Sequence, residues 1–223
     1  NAYHLLYDVT LIRVHHLVSQ GKTPHSVVKT YSEVIDRLKK EKPDFGGLFL
    51  LQAKREVLLS TLDKDPLSHL LPASLLIREG MKTYPKDSQV LTLGFSIEER
   101  IALLKLAGGN DFAPHFERAE EYARKVYELN PADIESHVRL ISIRTTAAGY
   151  QDMPPPKLEE IFEENIEILN RLVRDNPHRI DVRVLRLRCA TDWTWSLMNR
   201  AEPFDKHLDL ASKDFCSFVY KIF

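Results

Sequence analysis

The side chains best suited to chemistry are nine histidines, an acidic run, an arginine cluster and two cysteines. His15 and His16 form the one close histidine pair. Neighbouring helical residues point about 100° apart, so these two cannot share an ion as residues four apart can, and no His-Glu-x-x-His occurs. Glu160, Glu163, Glu164 and Glu167 lie around a face with no distinct environments to separate their pKa values, so a solvated face is expected, not an acid/base pair or a carboxylate metal site. Ala107-Gly108-Gly109-Asn110 follows a helix and lacks the Lys-Ser/Thr ending of a phosphate loop, so it reads as a helix stop. Cys189 and Cys216 are too few and too distant for a disulfide framework or a zinc cluster. These patterns point to no catalytic residue, no metal and no cofactor, and the chain is expected not to be an enzyme.

Arginines dominate the final third: Arg171, Arg174, Arg179, Arg183, Arg186 and Arg188. Arg179, Arg183 and Arg186 fall on one helical face, a basic face whose guanidinium forks suit a phosphate, an acidic peptide or RNA. Ion pairing with the neighbouring Glu-rich helix is the competing use of the same charges. Trp193 and Trp195 read as core and groove-edge aromatics. Pro154-Pro155-Pro156-Lys157 reads as a polyproline spacer between helices.

With 223 residues, 43% hydrophobic and 28% charged, the chain can bury a sizeable core. Its net charge of -1 argues against a dedicated nucleic-acid binder, which would carry a clear Lys/Arg excess. No apolar stretch approaches the roughly 18 residues that span a bilayer, so no membrane partner is expected. The sparse cysteines favour a reducing intracellular compartment, cytoplasmic or nuclear. Asn1 stands where a complete chain would have Met, and residues 214–223 are apolar and helical in pattern without a stop signal, which reads as a segment of a longer protein.

The elements that must position these side chains are helices. Pro43, Pro85, Pro131 and Pro177 recur at spacings of 42, 46 and 46 residues, each closing an amphipathic run. Helices are expected over residues 2–20, 23–43 with Thr23 as N-cap and Pro24 in the first turn, 46–62, 66–84 with an interruption or restart at Pro72, 88–107, 114–129, 133–148, 158–173, 180–199 and 204–222. The expected fold is all-α, a right-handed solenoid of about five antiparallel hairpins forming a single domain over 1–223.

Phe116, Ala119, Val126 and Pro131 stand where the second helix of a tetratricopeptide repeat places its aromatic, small and apolar residues and its closing proline. In the same frame fall Asn165, Leu172 and Pro177, then Tyr31, Leu38 and Pro43, then Ala73, Gly80 and Pro85. The chain therefore resembles the tetratricopeptide family. It departs from that family in its period, which is 42 to 46 rather than 34, and in the first-helix Trp-x-x-Leu-Gly-x-x-Tyr pattern, replaced by His137, Leu140, Ile141 and Arg144. Half-a-tetratricopeptide arrays and prenyltransferase α-subunit repeats share the Asn-Pro before a helix.

The resemblance implies that the first helix of each pair lines a concave, partner-binding surface. Its side chains would be Lys54, Gln89, Ser96, Arg100, Glu135, Ser142, Thr146, Asp181, Arg188 and Asp192, a mixed-charge groove without the repeated Lys/Asn clamp of chaperone-binding relatives. The implied function is a protein-interaction scaffold that holds a peptide or helix of a partner, with no small-molecule substrate evident. Two alternatives are a regulatory arm of a larger signalling enzyme and an RNA-processing assembly module.

Overall fold

The computed structural model describes residues 2–150, 154–199, 209 and 211–213. Every regular element among them is an α-helix: α1 Ala2–Ser19, α2 His25–Glu41, α3 Leu48–Leu59, α4 Leu67–Thr83, α5 Ser88–Ala107, α6 Ala113–Leu129, α7 Ile134–Tyr150, α8 Pro155–Asp175 and α9 Ile180–Asn199. The helix expected over 204–222 lies outside the described residues except at 209 and 211–213, which are helical.

The prolines stop the helices for a steric reason that repeats. The residue before a proline is forced out of the α region, and Lys42, Tyr84 and Asn176 adopt extended φ values of -142°, -126° and -132°. All four residues before the prolines still donate their N–H to the last turn, Lys42 to Leu38, Tyr84 to Gly80, Asn130 to Val126 and Asn176 to Leu172. One turn then follows all four prolines. The N–H groups of Phe45, Asp87, Asp133 and Arg179 donate to the carbonyls three residues earlier, at 3.0 to 3.2 Å, with the proline at the position where its fixed φ suits the turn. Two of these turns end in an N-cap. Asp87 accepts from the N–H groups of Gln89 and Val90, and Asp133 from those of Glu135 and Ser136.

Three local expectations are corrected. Thr23 does not cap α2: Pro24 occupies the N-cap and no side chain bonds there. Pro72 neither interrupts nor restarts α4, which runs through it; the ring lies on the exposed side and costs the helix one backbone bond. The proline tract is not a spacer throughout. Pro154 keeps a polyproline-like backbone, but Pro155 and Pro156 are the first residues of α8, where a missing N–H costs nothing.

The chain divides into two compact units, residues 1–125 and 126–223. In the first, α1 packs on α2, α2 on α3, α3 on α4 and α4 on α5, while α1 also meets α3 and α3 meets α5. Tyr7, Val14, Val28, Tyr31, Ile35, Leu38, Leu51 and Leu58 form a shared core there. In the second, α7, α8 and α9 pack on one another. α8 turns Leu158, Phe162, Leu169, Leu172 and Val173 inward, and Phe162 stacks on Trp193 of α9 at 5.5 Å. Its glutamates stay exposed, and Glu164 pairs with Arg144 of α7 at 2.8 Å.

Candidate functional site

In the first unit, α1, α3 and α5 surround a cavity of about 610 Å³. The Asp87 cap starts α5 so that Gln89, Ser96 and Arg100 face it, and α3 contributes Lys54; all four are among the residues expected to line a groove. Lys54 differs from the expectation in one respect. It is only 7% exposed, with its ammonium 4.6 Å from the centre of the Tyr7 ring, a cation–π contact. Burial lowers the Lys54 pKa, and the nearby carboxylates of Asp8 and Asp87 oppose that shift. Burial also pushes the Tyr7 hydroxyl up to about 12, with Asp8 adding to the rise and Arg100 opposing it. Arg100 donates to the Ser60 carbonyl at 3.5 Å.

The sequence frame omitted α1, which carries no closing proline before it and therefore gave no phase. Its Tyr7, Asp8, Leu11 and His15 line the same cavity. Counting α1 as a first helix would have found them. His15 thus faces a cavity, whereas its neighbour His16 points elsewhere and contacts Gln20.

The second unit brings the remaining groove residues together on α7 and α9. Glu135, Ser142 and Thr146 lie on α7, and Asp181, Arg188 and Asp192 on α9. Arg188 donates to the Thr146 hydroxyl at 3.4 Å and pairs with Asp192 at 3.6 Å. Burial raises the Asp192 pKa and Arg188 opposes it. Beside them α9 exposes Ile180, Val184, Trp195 and Met198, with Trp195 64% exposed. At 100° per residue these four and Arg188 fall within about 80° of the helix circumference, so they make one strip.

The three arginines of the expected basic face are each engaged. Arg179 precedes α9, forms a two-point pair with Asp181 and lies 3.8 Å from Glu135; the Arg179 bond holds Asp181 below the usual carboxylate range. Arg183 donates to the Pro177 carbonyl, and Arg186 to the Asn170 side chain at 2.8 Å. These partners lie on α9 itself, in the turn before it and on neighbouring helices.

A buried polar cluster was not anticipated. Glu98 of α5, 1% exposed, accepts from the Ser74 hydroxyl and lies 2.7 Å from Nδ1 of His115, and Arg118 reaches both, Nε 3.1 Å from the carboxylate and Nη2 2.8 Å from the same Nδ1. The serine is bonded to the carboxylate and not to the imidazole, so the geometry is not that of a nucleophile with its base. The only signal in the sequence is an acidic residue at an inward position of an apolar helix.

Among the described residues no group of three or more His, Cys, Asp or Glu side chains is placed to hold a metal, and no helix is long and apolar enough to cross a membrane. Comparison with family models, curated proteins and solved structures gives no match.

Proposed function

We propose that the chain is a tetratricopeptide-like scaffold whose helices pair as antiparallel hairpins in a right-handed stack and which binds a peptide or helix of a partner protein inside the cell. The observation that carries this reading is the α9 strip. A largely exposed indole on a packed helix, flanked by Val184, Met198 and the Arg188–Asp192 pair, has the composition of an interaction hot spot: an aromatic anchor beside charges that set register. Further support comes from the contacts of alternate helices, α1 with α3, α3 with α5 and α7 with α9, an arrangement that stacked hairpins require. No observation favours RNA as the partner, because the arginines that would read phosphate are drawn into contacts within the fold.

The test is affinity capture with this chain, repeated with Trp195→Ala and with Arg188→Glu. A protein retained by the parent and lost from both variants supports binding at the strip. Retention equal in all three would overturn it.

A further inference from the structure

The cavity of the first unit is a site that the α9 reading leaves unused. We propose that it binds a small amphipathic carboxylate, with the apolar body against Leu11, Val57, Leu93 and Ile97 and the negative charge on Arg100 beside Lys54.

Size is the first argument. A volume of about 610 Å³ lies within the roughly 300–1,000 Å³ of small-molecule sites, which combine apolar walls with a few polar groups. Of the three helices that supply most of the walls, α3 touches both α1 and α5, so the space exists without rearrangement. Charge is the second argument. The lining holds one carboxylate, Asp8, against Lys54 and the permanent guanidinium cation of Arg100; Asp8 and Asp87 act on Lys54, so Arg100 is the group that favours an anion over a cation. Lys54 is held in a low-dielectric wall, where its attraction for an anion is less screened than at the surface. Chemistry of the fork is the third. Arg100 is half-buried, and its hydrogen bond to Ser60 is at the outer limit of such bonds. A carboxylate at the cavity mouth would replace that bond with shorter charge-assisted ones. Gln89 and Ser96 line the same cavity and can donate to a second carboxylate oxygen.

Calorimetric titration with decanoate, decylammonium and decanol, each below its aggregation concentration, tests the proposal. Decanoate is expected to saturate one site and to bind at least about tenfold more tightly than decylammonium. Arg100→Gln should weaken decanoate by about tenfold, while Arg100→Glu should reverse the preference. Ser96→Trp, a substitution at an exposed position that fills the cavity, should abolish binding of all three. Trp195→Ala should leave decanoate affinity unchanged, which separates this site from the partner surface. Absence of saturation, equal binding of decylammonium, or insensitivity to both Arg100→Gln and Ser96→Trp overturns the proposal. Thermal melts of each variant identify any loss that comes from unfolding, in which case Arg100→Gln alone decides.

Discussion

Glu98 and His115 form a buried pair, Oε2 to Nδ1 at 2.7 Å, on helices α5 and α6, and the same carboxylate also gathers Ser74 and Arg118. The Arg118 guanidinium lies 2.8 Å from the same Nδ1, so this nitrogen is shared between the carboxylate and the guanidinium. A carboxylate so enclosed is tolerable because Ser74 and His115 bond to it and the Arg118 charge lies beside it. Glu98→Ala would remove the partner of the buried Ser74 and His115 at once and is expected to cost roughly 3 kcal/mol. Urea unfolding checks this; a loss below about 1 kcal/mol would mean that water reaches the cluster.

The pair also sets a pH response. Burial lowers the His115 pKa from its usual 6.5, and the Glu98 bond only partly opposes this. Just below 6.5 the unfolded chain therefore binds more protons at this position than the folded chain. Stability falls as pH drops from about 6.5 toward the depressed folded value, and above that window His115 contributes no pH dependence. Melting temperatures of the parent and His115→Gln between pH 5 and 8 should converge as the pH is lowered through the window, because the variant lacks this loss. Parallel curves would contradict the assignment.

Gly80 on α4 faces Phe49 on α3, and a Cβ there would collide with the ring, which is itself stacked on Tyr84 at 5.7 Å. Alanine normally favours a helix over glycine by up to about 1 kcal/mol. Here overpacking outweighs that gain, and Gly80→Ala is expected to destabilise by about 1–3 kcal/mol. Combining it with Phe49→Leu should recover part of the loss, measurable as a double-mutant cycle in urea.

The punctuation of this fold was legible because it is local. A proline dictates its own φ and the region open to the residue before it, so Lys42-Pro43, Tyr84-Pro85, Asn130-Pro131 and Asn176-Pro177 announced the same stop and turn, and α5 and α9 span the expected residues 88–107 and 180–199. Phase against distant helices was less legible. Pro72 broke the pattern in sequence, yet packing of Leu70, Ala73, Ser74 and Ile77 holds α4 through it. Lys54 was expected in the groove but not buried, and Glu98 carried no expectation; the contact of α1 with α3 and the approach of His115 and Arg118 of α6 enclose them. The groove residues on α3 and α5 followed from helix phase, whereas Tyr7 and His15 on α1 needed the contact with α3 to be seen.

Asn165 shows the opposite balance to Glu98. It is fully buried on α8, its amide donates to the Thr145 hydroxyl at a long 3.4 Å, and its carbonyl oxygen has no hydrogen-bond partner among the described residues. A weak bond to Thr145, a contact with the Cys189 thiol and an unpaired acceptor make the amide a net cost in this core. Asn165→Leu, close in shape, is expected to be neutral or stabilising by up to about 1 kcal/mol, whereas Asn165→Asp should destabilise by several. Chemical denaturation of the two variants side by side checks the sign of each.

Trp193 and Trp195, two positions apart on α9, face opposite ways, and that geometry makes the partner surface observable. Trp193 is 2% exposed against Phe162, while Trp195 is 64% exposed on the strip. Trp193→Phe should leave a red-shifted emission that iodide quenches readily, and Trp195→Phe a blue-shifted emission that iodide barely reaches. In the Trp193→Phe protein the remaining indole reports on the strip alone. Binding of a partner there should shift its emission to the blue and cut quenching several-fold, whereas decanoate, seated in the first unit, should leave it unchanged. Quenching of Trp195 that persists when the partner is bound would place the interface away from α9.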